Sequence, residues 1–443
     1  MERELYKALV DWKNSADRKP LILNGARQVG KTFLLSEFAK REYKKVAFFS
    51  LDRQEQVREV FERGGDVDKI IRSLSAISQT DITPRDTLVI IDEIHDCPKA
   101  LESLKYFCED APDVHVAVAG SLLGISLHEA VSYPVGKVDM LRLYPMSFEE
   151  FMLALGKKRI VEELRACDWD VINNLSAELT DMLRQYYYVG GMPSVVMAYV
   201  QGLGLNEVRK RQRQILDDYS RDFSKHAPAN QVPRIQMVWN SIPSQLAKDN
   251  KKFIFGAMKQ SARSAEFEMA IQWLIDAGLV YKINRANAVK MPLKFYEDFT
   301  AFKLFLLDVG LMGAMVNAPA SAILINDGIF SEYKGSFTEL YVCCQMMSAG
   351  IPCYYHSVDK STIELDFVVQ LGDKVYPVEV KAEENVHAKS LKTFMASHGE
   401  MTAMRLSMKK HIKQDWLECI PLYAFIGEFR RRQDGEGSRG GEM

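Results

Sequence analysis

Short apolar runs alternate with amphipathic stretches over residues 1–155. The runs PLILNG (20–25), KVAFFSLD (45–52), TLVIIDE (87–93), VHVAVAGS (114–121) and DMLRLYP (139–145) read as β-strands, with helices between them. Strands alternating with helices predict a parallel α/β sheet. Residues 156–230 lose the strand pattern and are helical and charged, closing on RKRQRQILDDYSRDFSKHAP. Residues 231–315 open with a helix holding Trp239 and Leu246. A second helix follows, SAEFEMAIQWLIDAGL, in which Phe267, Ile271, Leu274 and Ile275 fall at helical spacing and Gly278 supplies the stop. LVYKINR and VKMPLKFY then read as the two strands of a hairpin, so this segment predicts a winged helix. In residues 316–429 a helix at 331–348 precedes the short strands IPCYYHSV, TIELDFVVQL, KVYPVEVKA, AMRLS and IPLYAF. Residues 430–443, RRRQDGEGSRGGEM, carry almost no apolar side chain and predict a disordered tail.

Composition narrows the class without choosing a function. The 443 residues suggest two to four domains, and 47% hydrophobic with 26% charged residues is ordinary for a soluble globular chain. No apolar run has the length of a membrane span, and the N-terminus lacks the apolar core of a signal peptide. Lys plus Arg number 57 against 59 Asp plus Glu, a net charge of −2, so nucleic-acid contact requires a local basic patch. Seven cysteines without a CxxC pair predict reduced thiols in a cytoplasm.

The first chemistry lies between the strand Leu21-Ile22-Leu23 and the helix FLLSEFAK, where Gly25-Ala26-Arg27-Gln28-Val29-Gly30-Lys31-Thr32 completes GxxxxGK[ST]. Glycines let backbone N–H groups turn inward around phosphate, and the helix start beginning at Phe33 adds a favourable dipole. Lys31 is placed to reach the β- and γ-phosphates of ATP and Thr32 to take a Mg²⁺ position. Leu88-Val89-Ile90-Ile91 runs into Asp92 and Glu93, as a buried central strand ending at a site would. Asp92 is expected to hold Mg²⁺ through water and Glu93 to direct or deprotonate the attacking water. Ser121, after the fourth strand, is the candidate beside the γ-phosphate.

GARQVGKT, LVIIDEIH, VAGSLLGI and LRLYPMSFEEF resemble AAA+-type ATPases with the AAA 14 domain, which typically precede a domain of unknown function 4143. YYYVGGMPSVV and KLFLLDVGLM resemble later blocks of that family. The resemblance implies an ASCE-type core over residues 1–155 with a helical lid over 156–230. Gly191-Met192-Pro193 resembles the GxP element of signal-transducing ATPases with numerous domains, which implies adenine contact at Pro193. Relatives often carry Gly-Arg before the fifth strand, where this chain has Gly136-Lys137. Other arginine-finger candidates are Arg142, Arg184 and Arg221.

The second chemistry is C-terminal. Asp366 near the start of one strand, and Glu379 with Lys381 on one face of the next, form a D…ExK arrangement. Two carboxylates bind a hard divalent cation, and a neighbouring lysine stabilises developing negative charge. Glu339 in the preceding helix corresponds to the helical glutamate of PD-(D/E)xK nucleases, a fold that the domain of unknown function 4143 resembles. The sequence therefore predicts a P-loop NTPase core with a lid, a winged helix and a nuclease-like α/β domain. The expected function is ATP hydrolysis coupled to action on DNA. The alternative is an ATP-dependent switch for a protein partner with the nuclease-like domain inactive. Basic residues for DNA are densest at Arg209-Lys210-Arg211, Arg213, Lys282, Arg285, Lys290 and Lys294, while the recognition helix of the winged helix is acidic. His95, His226 and His356 read as structural. No membrane contact is expected, and a homo-oligomer, ring or dimer, is compatible with the family.

Overall fold

A computed structural model describes residues 2–120, 134–248, 251–259, 263–324, 331–358, 363–382, 389–398 and 401–435. The chain divides into two compact units. The first comprises Met1–Tyr144, Asp222–Ala229 and Gln272–Leu279, and the second Pro145–Arg221, Asn230–Ile271 and Val280–Met443.

The first unit is built on five parallel strands, β1 (Leu21–Asn24), β2 (Lys45–Ser50), β3 (Thr87–Asp92), β4 (His115–Gly120) and β5 (Asp139–Arg142), in the order β2-β3-β4-β1-β5. All residues of β1 and β4 and five of six in β3 are buried, which is why the apolar residues of these strands run consecutively instead of alternating. Ile22, Phe49, Val89 and Val116 pack with Phe61 and Leu74 of the helices Glu55–Glu62 and Val67–Ser78, and with Leu101 and Phe107 of the helix Pro98–Asp110. Each such side chain contributes about 1.5–3 kcal/mol by leaving water. Because β4 lies between β1 and β3, the C-terminal ends of these three strands form one row, where an open α/β sheet places its ligand.

The second unit joins helices to an eight-stranded mixed sheet. Its strands are β6 (Val280–Ala286), β7 (Glu297–Leu306), β8 (Cys353–Ser357), β9 (Glu364–Leu371), β10 (Lys374–Val380), β11 (Ala403–Ser407), β12 (Ile412–Lys413) and β13 (Leu417–Pro421), in the order β12-β13-β11-β10-β9-β8-β6-β7. The helix expected at 331–348 is present as Ser331–Ser348.

Three expectations change here. The hairpin at 280–306 pairs antiparallel as foreseen, but β6 also pairs with β8, so the strands expected as the wing of a separate 231–315 domain continue the C-terminal sheet. Its second strand is Glu297–Leu306 instead of VKMPLKFY, which lies in the connection and ends in a short 3-10 turn, Leu293–Tyr296; Pro292 has no N–H to give a ladder. IPLYAF splits between the end of β13 and a final helix, Phe425–Asp434, which carries Arg430–Asp434 beyond the expected start of the tail.

One buried carboxylate organises the helices of this unit. Asp308 caps the helix Val309–Met315 by accepting from Leu311 N at 2.9 Å, and it accepts from Gly191 N at 2.6 Å. Gly190 ends the helix Ser176–Val189 at φ 75°, and a Cβ there would lie 2.2 Å from Asp308 Oδ1. Only glycine accepts both the backbone turn and the carboxylate. Burial pushes the Asp308 carboxyl up to about 6, against the pull of the backbone N–H groups of Gly191, Leu311 and Gly310. Among the described residues, no helix is long and apolar enough to cross a membrane. All seven cysteines are free thiols.

Candidate functional site

The phosphate loop follows β1 in the first unit. Gly25 sits at φ 149°, and a Cβ there would lie 2.2 Å from the carbonyl oxygen of Leu143, so no other residue fits. Gln28 and Gly30 also take positive φ, 65° and 93°, and Gly30 precedes the helix Lys31–Glu42. The first amides of a helix lack intrahelical partners and favour an anion. Lys31 Nζ donates to the carbonyls of Gly25 at 2.9 Å and Ala26 at 2.8 Å, so the ammonium is folded against the loop. Burial pushes this lysine down to about 8, an effect that the charges of Glu93 and Asp92 oppose. Val29 is buried, and its carbonyl accepts from Arg3 Nη1 at 2.9 Å, while Arg3 Nη2 donates to Tyr144 O at 2.6 Å. Arg3 thus braces the loop from the start of the chain. Phe33 is half exposed, at 51%.

The acidic pair stands where the sequence places it. Thr32 Oγ1 donates to Asp92 Oδ2 at 2.8 Å, and Asp92 Oδ1 accepts from Glu93 N at 3.1 Å. Glu93 takes φ 53°, a left-handed conformation that costs a non-glycine residue on the order of 1–3 kcal/mol and that clusters at functional sites. Burial, then the Asp92 charge, holds the Glu93 carboxyl above the usual carboxylate range. These hard oxygen ligands and the neighbouring ammonium fit a Mg²⁺–triphosphate.

Sequence reasoning missed three neighbours. Arg27 of the loop pairs with Asp222 Oδ1 at 2.5 Å and lies 3.1 Å from His226 Nε2. His95 Nδ1 lies 3.3 Å from Glu93 Oε2, without hydrogen-bond alignment, and the His95 and His226 rings meet edge to face at 5.9 Å. Burial, then Arg27, pushes His226 down to about 4. Burial likewise lowers His95. His95 thus stands beside Glu93 and His226 beside Arg27. Ser121 lies outside the described residues.

The other candidates are placed as follows. Pro193 is the first residue of the helix Pro193–Val200 in the second unit, separated by Met192 from the Gly190-Gly191 turn that Asp308 holds. Lys137 pairs with Glu109 at 3.0 Å, Arg184 with Asp181 at 3.2 Å and Arg221 with Asp218 at 3.3 Å. Arg142 stands over the Tyr144 ring at 5.2 Å. The basic run at 209–213 is largely spent inside the second unit. Arg209 donates to Ala318 O at 2.9 Å, Arg211 to Ser194 O at 3.1 Å and Arg213 to Asn317 Oδ1 at 3.0 Å. On the hairpin, Arg285 pairs with Asp298 at 2.8 Å and Lys294 with Glu297 at 2.8 Å. Phe295 and Phe299 are 83% and 68% exposed.

In the C-terminal constellation the four predicted residues meet lysines the sequence reading did not include. Asp366 Oδ2 accepts from Val380 N at 2.8 Å. Glu379 Oε1 pairs with Lys381 at 3.1 Å, and Glu379 Oε2 lies 3.5 Å from Arg405 Nε. Glu339 Oε1 accepts from Lys251, and Glu339 Oε2 lies 3.9 Å from Lys303 Nζ. Lys303, on β7, is fully buried; it pairs with Glu364 at 3.0 Å and stands 4.9 Å from the Tyr355 ring centre. Burial, then the Glu339 charge, pushes Asp366 up to about 7. Burial alone would raise Glu339, but the Lys251 and Lys303 charges hold it low. Among the described residues, no group of three or more His, Cys, Asp or Glu side chains is arranged to hold a metal ion.

Residues 17–152 match the family described as an AAA domain. Residues 180–322 match a domain of unknown function (DUF8612), and residues 334–425 match another (DUF4143). The middle match was not anticipated. Among solved structures the chain is similar to the Walker-type ATPase PABY2304 of Pyrococcus abyssi, at 13% identity over 71% of this chain and 95% of that one, with a TM-score of 0.46. It is also similar to the Thermotoga maritima RuvB Holliday junction branch migration motor, at 16% over 63% and 89% with a TM-score of 0.31. A third is the Aeropyrum pernix ORC1 protein in complex with DNA, at 16% over 73% and 92% with a TM-score of 0.25. No curated protein matches. The family match at 17–152 and the parallel sheet make the first unit an AAA-type P-loop NTPase core.

Proposed function

We propose that the AAA-type core binds and hydrolyses ATP and that hydrolysis drives the second unit in its action on DNA. The observation that carries the ATPase reading is the bridge from Thr32 to Asp92 beside Lys31 and Glu93. Lys31 exchanges its two loop carbonyls for phosphate oxygens and neutralises charge that grows in the transition state. Thr32 and Asp92 would hold Mg²⁺, which when bound supplies charge neutralisation on the β- and γ-phosphates. Glu93 aligns the attacking water and accepts its proton; a carboxyl held above its usual range suits that task. Asp222 and His226, which meet Arg27, end the helix Leu205–His226, whose earlier turns belong to the second unit. The backbone of that helix joins the residues that contact Arg27 to the rest of the chain.

The DNA reading rests on the hairpin, where Lys282 and Lys290 accompany the exposed Phe295 and Phe299: cations for phosphate and flat rings for bases. The same exposed rings favour a second reading, a switch that shows this face to a protein partner. Phosphate release measured with single-stranded, duplex and branched DNA tests the choice. Stimulation lost in a Lys282→Ala, Lys290→Ala variant supports DNA, and no binding to any DNA at low salt supports the partner.

A further inference from the structure

We propose that the carboxylate centre of the second unit takes lysine ammonium groups in the place of a divalent cation, so that this unit carries out no metal-dependent cleavage. The inference is independent of the ATPase reading. It sharpens the DNA reading, because it leaves this centre without a metal for cutting.

The argument is one of charge and space. A centre for a hard divalent ion gathers carboxylates with a surplus of negative charge and leaves them room to converge on one point. Here four carboxylates, Glu339, Glu364, Asp366 and Glu379, meet four cations, Lys251, Lys303, Lys381 and Arg405. The cations equal the carboxylates in number, so no surplus of negative charge is left for a metal. Only Lys381 of these cations belongs to the D…ExK pattern. Lys303 is the decisive addition: its side chain has no exposed surface, and its ammonium lies 3.0 Å from Glu364 and 3.9 Å from Glu339. A fully buried lysine is expelled or neutralised unless anions hold it, and these two carboxylates do so. Lys251 takes the other oxygen of Glu339. Asp366, the residue that would bridge to a metal, spends one oxygen on the Val380 amide. A divalent ion at this point would face two ammonium groups and would have to displace a charge that the fold itself buries.

The test uses the full-length chain with Thr32→Ala and Asp92→Asn, which removes Mg²⁺ uptake at the phosphate loop. Mn²⁺ uptake is measured by equilibrium dialysis in this form and in the same form carrying Asp366→Asn, with Glu339→Gln in its place if that variant does not fold. Equal uptake in both forms is the expected result, whether it is zero or reflects binding elsewhere. Loss of one Mn²⁺ per chain on Asp366→Asn or Glu339→Gln overturns the proposal. So does Mn²⁺-dependent cleavage of DNA that Asp366→Asn abolishes.

Discussion

The Thr32 hydroxyl donates to the Asp92 carboxylate at 2.8 Å, tying the helix after β1 to the end of β3 across the intervening β4. Two residues 60 positions apart are thus in contact where we propose that the cation binds. Thr32→Ala removes an oxygen ligand and this brace together. It is expected to raise the Mg²⁺ concentration for half-maximal phosphate release by about tenfold or more, roughly 1.4 kcal/mol. A magnesium titration of the ATPase checks this, and an unchanged midpoint would remove Thr32 from the site.

Lys31→Ala should abolish detectable ATP binding with little effect on the fold. Among the described residues its ammonium donates to loop carbonyls at 2.9 and 2.8 Å, and water can replace it there, whereas nothing replaces its charge toward a triphosphate. Calorimetric ATP titration together with a thermal melt separates the two effects.

Asp222→Ala should tighten ATP binding about three- to tenfold while costing at most about 1 kcal/mol of stability. The Arg27–Asp222 pair is partly exposed, at 30% and 19%, so screening keeps its contribution small. Removing the anion releases the Arg27 guanidinium and lowers repulsion of the phosphates. The gain should shrink as salt rises. Weaker binding in Asp222→Ala would show that the pair shapes the loop for its ligand instead of restraining it.

Asp308 gives the pH dependence its sign. Its carboxyl moves from an ordinary 3.8 to about 6 in the fold, so the folded state holds the proton over that window and the unfolded state does not. The stability linked to this group is fully present below about pH 4 and is lost as pH rises through about 6. Asp308→Asn carries no such proton. Wild type should therefore lose roughly 1–3 kcal/mol relative to the variant between about pH 4 and pH 7. Denaturant titrations at both pH values check this, and a difference that does not move with pH would contradict it.

What was legible in the sequence was local. The phosphate loop is eight consecutive residues between a strand and a helix, and Asp92-Glu93 ends an apolar run, so pattern and chemistry coincide. Arg27 and Asp222 are 195 positions apart, and nothing near either names the other. His226 is equally silent, whereas His95 lies two residues after Glu93, and that spacing is a signal in the sequence. Lys303 offered one too: a lysine inside the apolar run AFKLFLL must be paired, because burying a lone ammonium is too costly. The hairpin is legible in the sequence but the place of its second strand is not, since VKMPLKFY has β-forming residues around a proline that cannot join a ladder. The junction of β6 with β8 rests on one residue pair, Arg285 with Tyr355, which no local pattern encodes.

We propose that Glu93 directs water onto a triphosphate gripped by Lys31, Thr32 and Asp92. Glu93→Gln keeps the shape and removes the base. Measured side by side with wild type, it should bind ATP–Mg²⁺ within about threefold of the parent affinity and release phosphate about 10²–10⁴-fold more slowly. Equal turnover by the two proteins would contradict the account.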